Sequence, residues 1–466
     1  MKIFNLNIKD SIFACVAVGM IAIGCEKKLD VQPFQTLSED KALLTESDVS
    51  GTLVGAYDAV SSAAAYGGDM MILNDLIGNR TNISFRGTFQ GLTEAYNTQM
   101  ISTNSFAAGT WSAAYNAINV ANNVLENVSK VTSSATRKNS VEGQALFLRA
   151  SMYFELVKLY AKPFNDGSPA TNLGVPLVLT ATKAPIKESD YVARATVKAV
   201  YDQVVADLVK AESLMPSSNT KFATKWAAAA QLSRVYLMQG DFTAAAAAAN
   251  RVIAGSGKTI TPEFRNNWFT YINFGGVTPN EYVFFIKVTN QDGANSFNTY
   301  YGAPLGAFPG SAGRRDMRIQ NAHLSIYETG DIRRAFFTGT SSANRYTLKH
   351  LDRFGDVPVI RLAEMYLTRA EANFRQGTTV GATPLADVNL IRKRAGLADL
   401  TSVTLDAILS ERASELAFEG NNLFESQRLK RNLGTLAWNS QTLTMPIPQR
   451  EMDVNKNLVQ NPGYSN

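Results

Sequence analysis

Cysteine and histidine are almost missing from these 466 residues: there are two of each, Cys15 and Cys25, His323 and His350. The histidines stand far apart and without metal-ligand spacing, so neither a two-histidine zinc helix nor a matched Ser/His/Asp set can be built from them. Charge is also sparse. Only 18% of residues are charged against 45% hydrophobic, which excludes a disordered chain and indicates a folded globular one. The surplus of 45 basic over 40 acidic residues is too small and too scattered for nucleic acid. RRDMR at Arg314 and RLKR at Arg428 are the densest basic runs, and they lack the extended, aromatic-interleaved patch that strand binding needs. They read as solvated helix faces. The apolar run over 12–23 falls short of the roughly 20 residues that span a bilayer.

That run follows Lys2 and Lys9, which gives it the form of a secretion signal. It ends Ile21-Ala22-Ile23-Gly24-Cys25. A small residue directly before a cysteine resembles a bacterial lipoprotein signal, with Ala22 where leucine is more usual. The resemblance implies that residues 1–24 are removed and that Cys25 is acylated, each buried methylene contributing about 0.8 kcal/mol to anchoring. An ordinary signal peptide or an inserted anchor would leave the placing of Cys25 unexplained. With Cys15 inside the leader, the mature chain is expected to hold no internal disulfide, no thiol nucleophile and no cysteine metal site.

What is plentiful is helical periodicity. Over 361–419 the segments RLAEMYLTRAEANFRQG, ADVNLIRKRAG and LDAILSERASELAFEG place apolar residues three to four apart. In the first, Ala363, Tyr366, Leu367, Ala370 and Phe374 form one stripe and Leu362 with Met365 another, so the helix packs on two sides before Gly377 ends it. In the third, Leu405, Ile408, Leu409 and Leu416 share a face between Thr404, a cap, and Gly420, a stop. Glu411, Glu415 and Glu419 form an i, i+4 ladder of like charge, unfavourable in an isolated helix by a few tenths of a kcal/mol per pair. Cations must offset it, and Arg392, Arg394, Arg428, Lys430 and Arg431 are nearest in sequence. The glutamates read as structural ties and not as catalytic groups.

The clearest helix-turn-helix unit is ATKWAAAAQLSRVYLMQGDFTAAAAAANRVIAGSG, with alanines for close approach and Gly240-Asp241 at the turn. Its A-x-x-x-L-x-x-Y-x-x-G-D-F-x-x-A pattern is tetratricopeptide-like. AGSGKT at Ala254 is no phosphate loop, since the first glycine of that motif would fall on Val252 and a helix precedes it. Trp111 and Trp226 fall at helical spacing and are assigned to the core. Helical repeats are expected at about 45–65, 110–255 and 361–435. The intervening 66–109 and 260–359, rich in Gly, Asn, Thr and aromatics, read as loops with one plausible strand, YVFFIKVT. The fold expected is mostly α, α+β in detail: a tetratricopeptide-like scaffold under an irregular, loop-rich layer with a few short strands.

The R-x-AEMYLTRAEA helix, DVNLIRKRAG, ER-x-x-ELAFEG, and the closing PIPQRE with QNPGY together resemble the SusD/RagB family of nutrient-binding outer-membrane lipoproteins. LD-x-x-P after Cys25 and SDVSGTLVGAYDAV match the family's opening. One departure follows ELAFEG, where NNLFESQRLKR stands in place of the family's more usual aromatic and aspartate run. The resemblance implies one nutrient-binding domain over 25–466, anchored to the outer membrane and facing outward. Such proteins sit as a lid on a SusC-like TonB-dependent transporter and deliver glycans, or in some members peptides, to it, with no catalytic group and no cofactor.

The recognised motifs leave out the ligand loops, so candidate contacts come from chemistry. A sugar ring calls for flat aromatic surfaces and a few fixed polar groups. Asp75, Asn79, Arg80, Phe85, Phe89 and Tyr96 supply them in one loop region, and Trp268, Tyr271, Tyr300 and Tyr301 in the other. No metal site is expected, since NQDGAN lacks the closing glutamate of a calcium loop. Two other classes stay open: a secreted glycan-active hydrolase whose carboxylate pair the fold would assemble, and a pure interaction scaffold.

Overall fold

α1 (Glu46–Ser61) starts on a reciprocal cap in which the Asp48 amide donates to the Thr45 hydroxyl and the Thr45 amide to the Asp48 carboxylate. The computed structural model describes residues 43–183, 186–270, 275–304 and 312–465. The leader, Cys25 and Tyr271 lie outside the described residues. From Thr45 onward the chain is one compact unit.

After α1 come α2 (Asp69–Gly78), β1 (Ile83–Phe85), α3 (Gln90–Asn97) and the long helices α4 (Ser105–Asn127) and α5 (Ala135–Tyr160). A hairpin of β2 (Leu173–Pro176) and β3 (Arg194–Thr196) leads to α6 (Val197–Leu214), α7 (Lys225–Gln239) and α8 (Phe242–Gly255). The second layer holds β4 (Tyr282–Ile286), α9 (Ser296–Tyr301), β5 (Met317–Ile319), α10 (Asn321–Leu324), β6 (Phe337–Thr338), β7 (Tyr346–Thr347) and β8 (Val357–Arg361). Helices then return as α11 (Leu362–Gln376), α12 (Pro384–Arg394), α13 (Leu405–Glu415), α14 (Asn422–Arg428) and α15 (Gln449–Val454).

From α4 to α8 each helix packs on the next, α8 packs on α11, and α11 on α12 and α13. This is the tetratricopeptide-like array, and alanine makes it close. Ala227 to Ala230 on α7 and Ala245, Ala246, Ala248 and Ala249 on α8 are all buried. α7 and α11 stop at Gly240 and Gly377, and Thr404 caps α13, as the sequence predicts. Phe374 leaves its expected stripe and is exposed at the end of α11.

The segment 66–109 is not a run of loops. It contains α2, β1, α3 and the start of α4. Every residue from Met70 to Gly78 is buried, and a helix apolar on all sides shows no amphipathic period to read. The region 260–359 is the expected irregular α+β layer. β4 pairs antiparallel with β8, β6 with β7, and β5 with β1, so the two regions predicted as loops share a sheet. A small core of Phe264, Trp268, Phe269, Ala303, Phe336, Tyr346 and Leu351 fills this layer.

The glutamate ladder is held differently from the expectation. α13 stops at Glu415, Phe418 turns left-handed (φ 58), and Lys349 Nζ donates to the carbonyls of Glu415 and Ala417, both at 2.9 Å. Those bonds replace the next helical turn, so Glu419 leaves the ladder. Arg361 then binds Glu281 at 2.6 Å, Glu415 at 2.9 Å and Glu419 at 2.7 Å. Arg394 binds Glu281 and Glu415, Arg333 binds Asp331 and Glu411, and Lys349 reaches Glu419 at 2.7 Å. Of the expected cations, Arg392 and Arg394 take part. Arg428 instead binds Glu371 and Glu425, and Lys430 lies over Trp438. Arg333, Lys349 and Arg361 come from the second layer, so the buried ion cluster ties that layer to the array.

Candidate functional site

Pairing of β1 with β5 continues past the strand ends, where the Arg86 amide donates to the Asp316 carbonyl at 2.8 Å. Gly87 permits the approach: a Cβ there would lie 2.4 Å from the Phe85 ring and 2.8 Å from Asp316 Oδ2. The chain then turns through Thr88 to Phe89, the residue before α3, which is left 40% exposed. Single exposed apolar residues are ordinary on a protein surface, so exposure alone decides nothing. The company it keeps is more telling.

Phe106 and Tyr300 meet Phe89 edge-on at 5.9 and 6.1 Å. The Arg314 guanidinium lies 4.8 Å over the ring and is held by Asp316 Oδ2 and Thr88 Oγ1, both at 2.8 Å. Arg315 beside it adopts φ 53, a left-handed conformation uncommon outside glycine. RRDMR is therefore no helix face but an extended lead into β5.

Two polar groups here lack a hydrogen-bond partner among the described residues: the Tyr300 hydroxyl and the Asp69 carboxyl. Burial, then the charges of Asp69 and Asp316, push the Tyr300 hydroxyl well above the usual phenol range. Burial alone pushes the Asp69 carboxyl up to about 7. An exposed ring edged by Tyr300 and topped by a braced guanidinium, with the Asp69 carboxyl near the Tyr300 hydroxyl, offers an apolar ring and polar groups together.

The other candidates fall elsewhere. Asp75 is wholly buried, accepting from the Tyr301 hydroxyl at 3.0 Å and the Gly420 amide at 3.2 Å, and burial pushes it up to about 7 against those bonds. Asn79 donates to Asp75 and is buried, as are Phe85 and Tyr301. Trp268 is buried beneath Lys349 and Arg361, at 4.7 and 5.0 Å from its ring. Arg80 braces α3 through the Tyr96 carbonyl at 2.8 Å and Thr98 Oγ1 at 3.0 Å, and the Tyr96 hydroxyl donates to the Ile83 carbonyl at 3.2 Å. Of the predicted set, the exposed Phe89 and the buried Tyr300 are thus brought together. Asp69, Thr88, Arg314 and Asp316 were missed. Arg314 carried a signal in its basic run, and the others carried none.

Both histidines are core residues: burial drives His323 and His350 down to about 3, and each bonds internally. Among the described residues no cluster of three His, Cys, Asp or Glu could hold a metal, and no helix is long and apolar enough to cross a membrane.

Comparison with known proteins places this geometry among relatives. Residues 28–237 match a family described as starch-binding associating with outer membrane, and residues 344–443 match the SusD family. The SusD-like protein P2 of Formosa agariphila is 25% identical over 96% of this chain and 98% of its own length. The starch-binding protein SusD of Bacteroides thetaiotaomicron is 34% identical over 23% of this chain and 22% of that one. A solved SusD superfamily protein from Bacteroides thetaiotaomicron superposes with a TM-score of 0.78 at 23% identity, covering 90% of this chain and 100% of its own.

Proposed function

The chain belongs to the SusD/RagB family, and from that premise we propose that it binds a glycan at the cell surface through the Phe89 cluster. The observation that carries the reading is the exposed Phe89 ring against Tyr300, whose hydroxyl has no partner among the described residues and feels the charge of Asp69. A saccharide ring would lie against Phe89, and its hydroxyls, which donate and accept, would take the open groups. The family description, with its association with the outer membrane, and the starch-binding relative support a carbohydrate ligand.

The finer reading is that residues 25–466 are the mature protein, held to the outer membrane by lipid on Cys25, and that the ligand passes to a SusC-like TonB-dependent transporter. Transport energy belongs to that partner, so this chain needs affinity and no catalysis. Cys25→Ala is expected to release the protein from membranes; continued co-sedimentation with outer membrane in cells lacking the transporter would sink the anchor.

The binding test is calorimetry of the soluble chain from residue 26 against polysaccharides, oligosaccharides and peptides, with product analysis on every hit. Saturable saccharide binding without products is expected, and Phe89→Ala should raise Kd about tenfold, a loss of about 1.4 kcal/mol. Binding of peptides alone, or saccharide affinity unchanged in Phe89→Ala, overturns the reading. One observation favours a hydrolase instead: burial keeps a proton on Asp69 to about pH 7, as a general acid requires. Products that vanish in Asp69→Asn would establish it.

A further inference from the structure

A cleft of about 260 Å3 opens between the α2–β1 connection, α13 and α14, and it shares no lining residue with the Phe89 cluster. Its volume lies just under the roughly 300–1,000 Å3 of pockets that take drug-sized ligands, which suits a single ring. The floor is apolar, with Leu409 from α13, Leu416 just past its end, and Leu429 and Leu433 beyond.

The rim is built from amides, each anchored by one half of its side chain. Asn82 Nδ2 donates to Asn79 Oδ1 at 3.3 Å, Asn421 Nδ2 to the Glu419 carbonyl at 3.2 Å, and Asn422 Nδ2 to the Gly78 carbonyl at 2.5 Å, while Asn432 Oδ1 accepts from the Trp438 amide at 3.2 Å. Three carbonyl oxygens and one NH2 group are left with no other partner among the described residues. Asn82, Asn421 and Asn422 are half-buried and Asn432 is exposed, so their open halves are accessible to a ligand in the cleft.

The walls rest on backbone that L-residues adopt only under constraint. Phe418 (φ 58) and Lys430 (φ 54), neither of them glycine, bracket α14. Such residues persist where the surroundings over-determine them, and they gather at functional sites. Gly78 meets α14 so closely that a Cβ would lie 2.3 Å from the Leu423 nitrogen. The wall that α14 supplies is the NNLFESQRLKR stretch, where the sequence departs from the run more usual in its family.

The charges lining the cleft are mixed. Glu425 lines the cleft, and although burial pushes its carboxyl up, Arg412 and Arg428 outweigh that and bring it down to about 2. Their guanidiniums sit 3.1 and 2.6 Å from it. Arg80, Arg412 and Arg431 line the cleft as well, and Arg412 and Glu425 are paired with each other, so the amide rim and the leucine floor define the ligand more than charge does.

We propose that the cleft is a second saccharide site, taking one neutral sugar ring and independent of the Phe89 cluster. The ring's C–H faces rest on the leucines, and its hydroxyls pair with the open halves of Asn82, Asn421, Asn422 and Asn432.

Saturation-transfer NMR on the chain from residue 26, with glucose, galactose, mannose and N-acetylglucosamine, tests this in wild type, Phe89→Ala and Ser426→Phe. The last variant fills the cleft. At least one sugar is expected to give a signal that survives Phe89→Ala and drops fivefold or more in Ser426→Phe. Thr81→Tyr, at an exposed position on the opposite wall, is expected to give the same drop and decides the matter if Ser426→Phe does not fold. A signal that disappears in Phe89→Ala, one that stays in the cleft variants, or none from any of the four sugars in wild type overturns the proposal. Failure of the Phe89 site alone, seen as glycan affinity unmoved by Phe89→Ala, leaves these outcomes intact.

Discussion

Asp69 begins α2 with its carboxyl largely out of water and no cation beside it among the described residues, and burial pushes it up to about 7 from the 3.8 of a free aspartate. The folded chain therefore keeps a proton that the unfolded chain releases near pH 4. Between those values the folded state binds more protons, so stability falls as pH rises from about 4 to about 7 and levels off above. Asp69→Asn removes the titration. The variant is expected to match wild type at pH 4 and to exceed it at pH 8 by on the order of 1–4 kcal/mol. Urea unfolding at the two pH values measures this, and equal stability at pH 8 would mean that water or the backbone already solvates the carboxylate. If Asp69 also accepts a ligand hydroxyl, saccharide affinity should change across pH 7, and that change should vanish in Asp69→Asn.

Elements differ in how much of them the sequence discloses, and α7 with α8 against α2 shows why. The α7–α8 unit was legible because small and large residues recur at the helical period and a Gly-Asp turn separates them. Its close approach rests on alanine, so Ala248→Leu, which inserts a branched side chain at a fully buried position, is expected to cost about 1–3 kcal/mol by overpacking. Asp241→Ala, which removes the acceptor for the Ala244 amide at 2.9 Å, should cost about 1 kcal/mol. Thermal denaturation orders the two, and a neutral Ala248→Leu would mean that the helices have room to part. α2 was illegible because it is buried on every side, which erases periodicity, and because its neighbours carry glycine and asparagine. The candidate site follows the same logic. Phe89 and Tyr300 were legible as aromatics among turn residues. Asp69, Arg314 and Asp316 reach them through the β1–β5 pairing and the packing of α9, and local sequence holds no trace of either. Trp268 and Tyr301 sit in similar glycine-rich surroundings, yet they pack inward, Trp268 under Lys349 and Arg361 and Tyr301 onto Asp75.

At the scale of the whole molecule, the α+β layer and the helical array meet over the ion cluster around Arg361. This arginine is buried, stands at the end of β8, and holds Glu281, Glu415 and Glu419 at once. Burial pushes the Glu415 carboxyl up, but Arg394, Arg361, Arg333 and Lys349 outweigh it and hold it well below the usual range. A carboxyl so depressed adds stability that is complete above about pH 4.5 and is lost as pH falls below it. Glu364, Glu371 and Glu425 are lowered in the same sense by Arg234, Arg412 and Arg428. Acid should therefore unfold the chain steeply below pH 4.5, with weak salt dependence because these pairs are screened little. Replacing the network with apolar groups could be neutral, but removing one partner leaves uncompensated buried charge. Arg361→Met is accordingly expected to destabilise by about 3–5 kcal/mol, and to do so by uncoupling the layers. In wild type, far-UV circular dichroism, which follows the array, should give one transition coincident with the fluorescence of Trp268 in the second layer, isolated in a variant with the other three tryptophans replaced by phenylalanine. In Arg361→Met on that background the Trp268 transition should come first, at lower denaturant, while the helical signal persists. Coincident transitions in both proteins would show that packing, and not the ion cluster, binds the layer to the array.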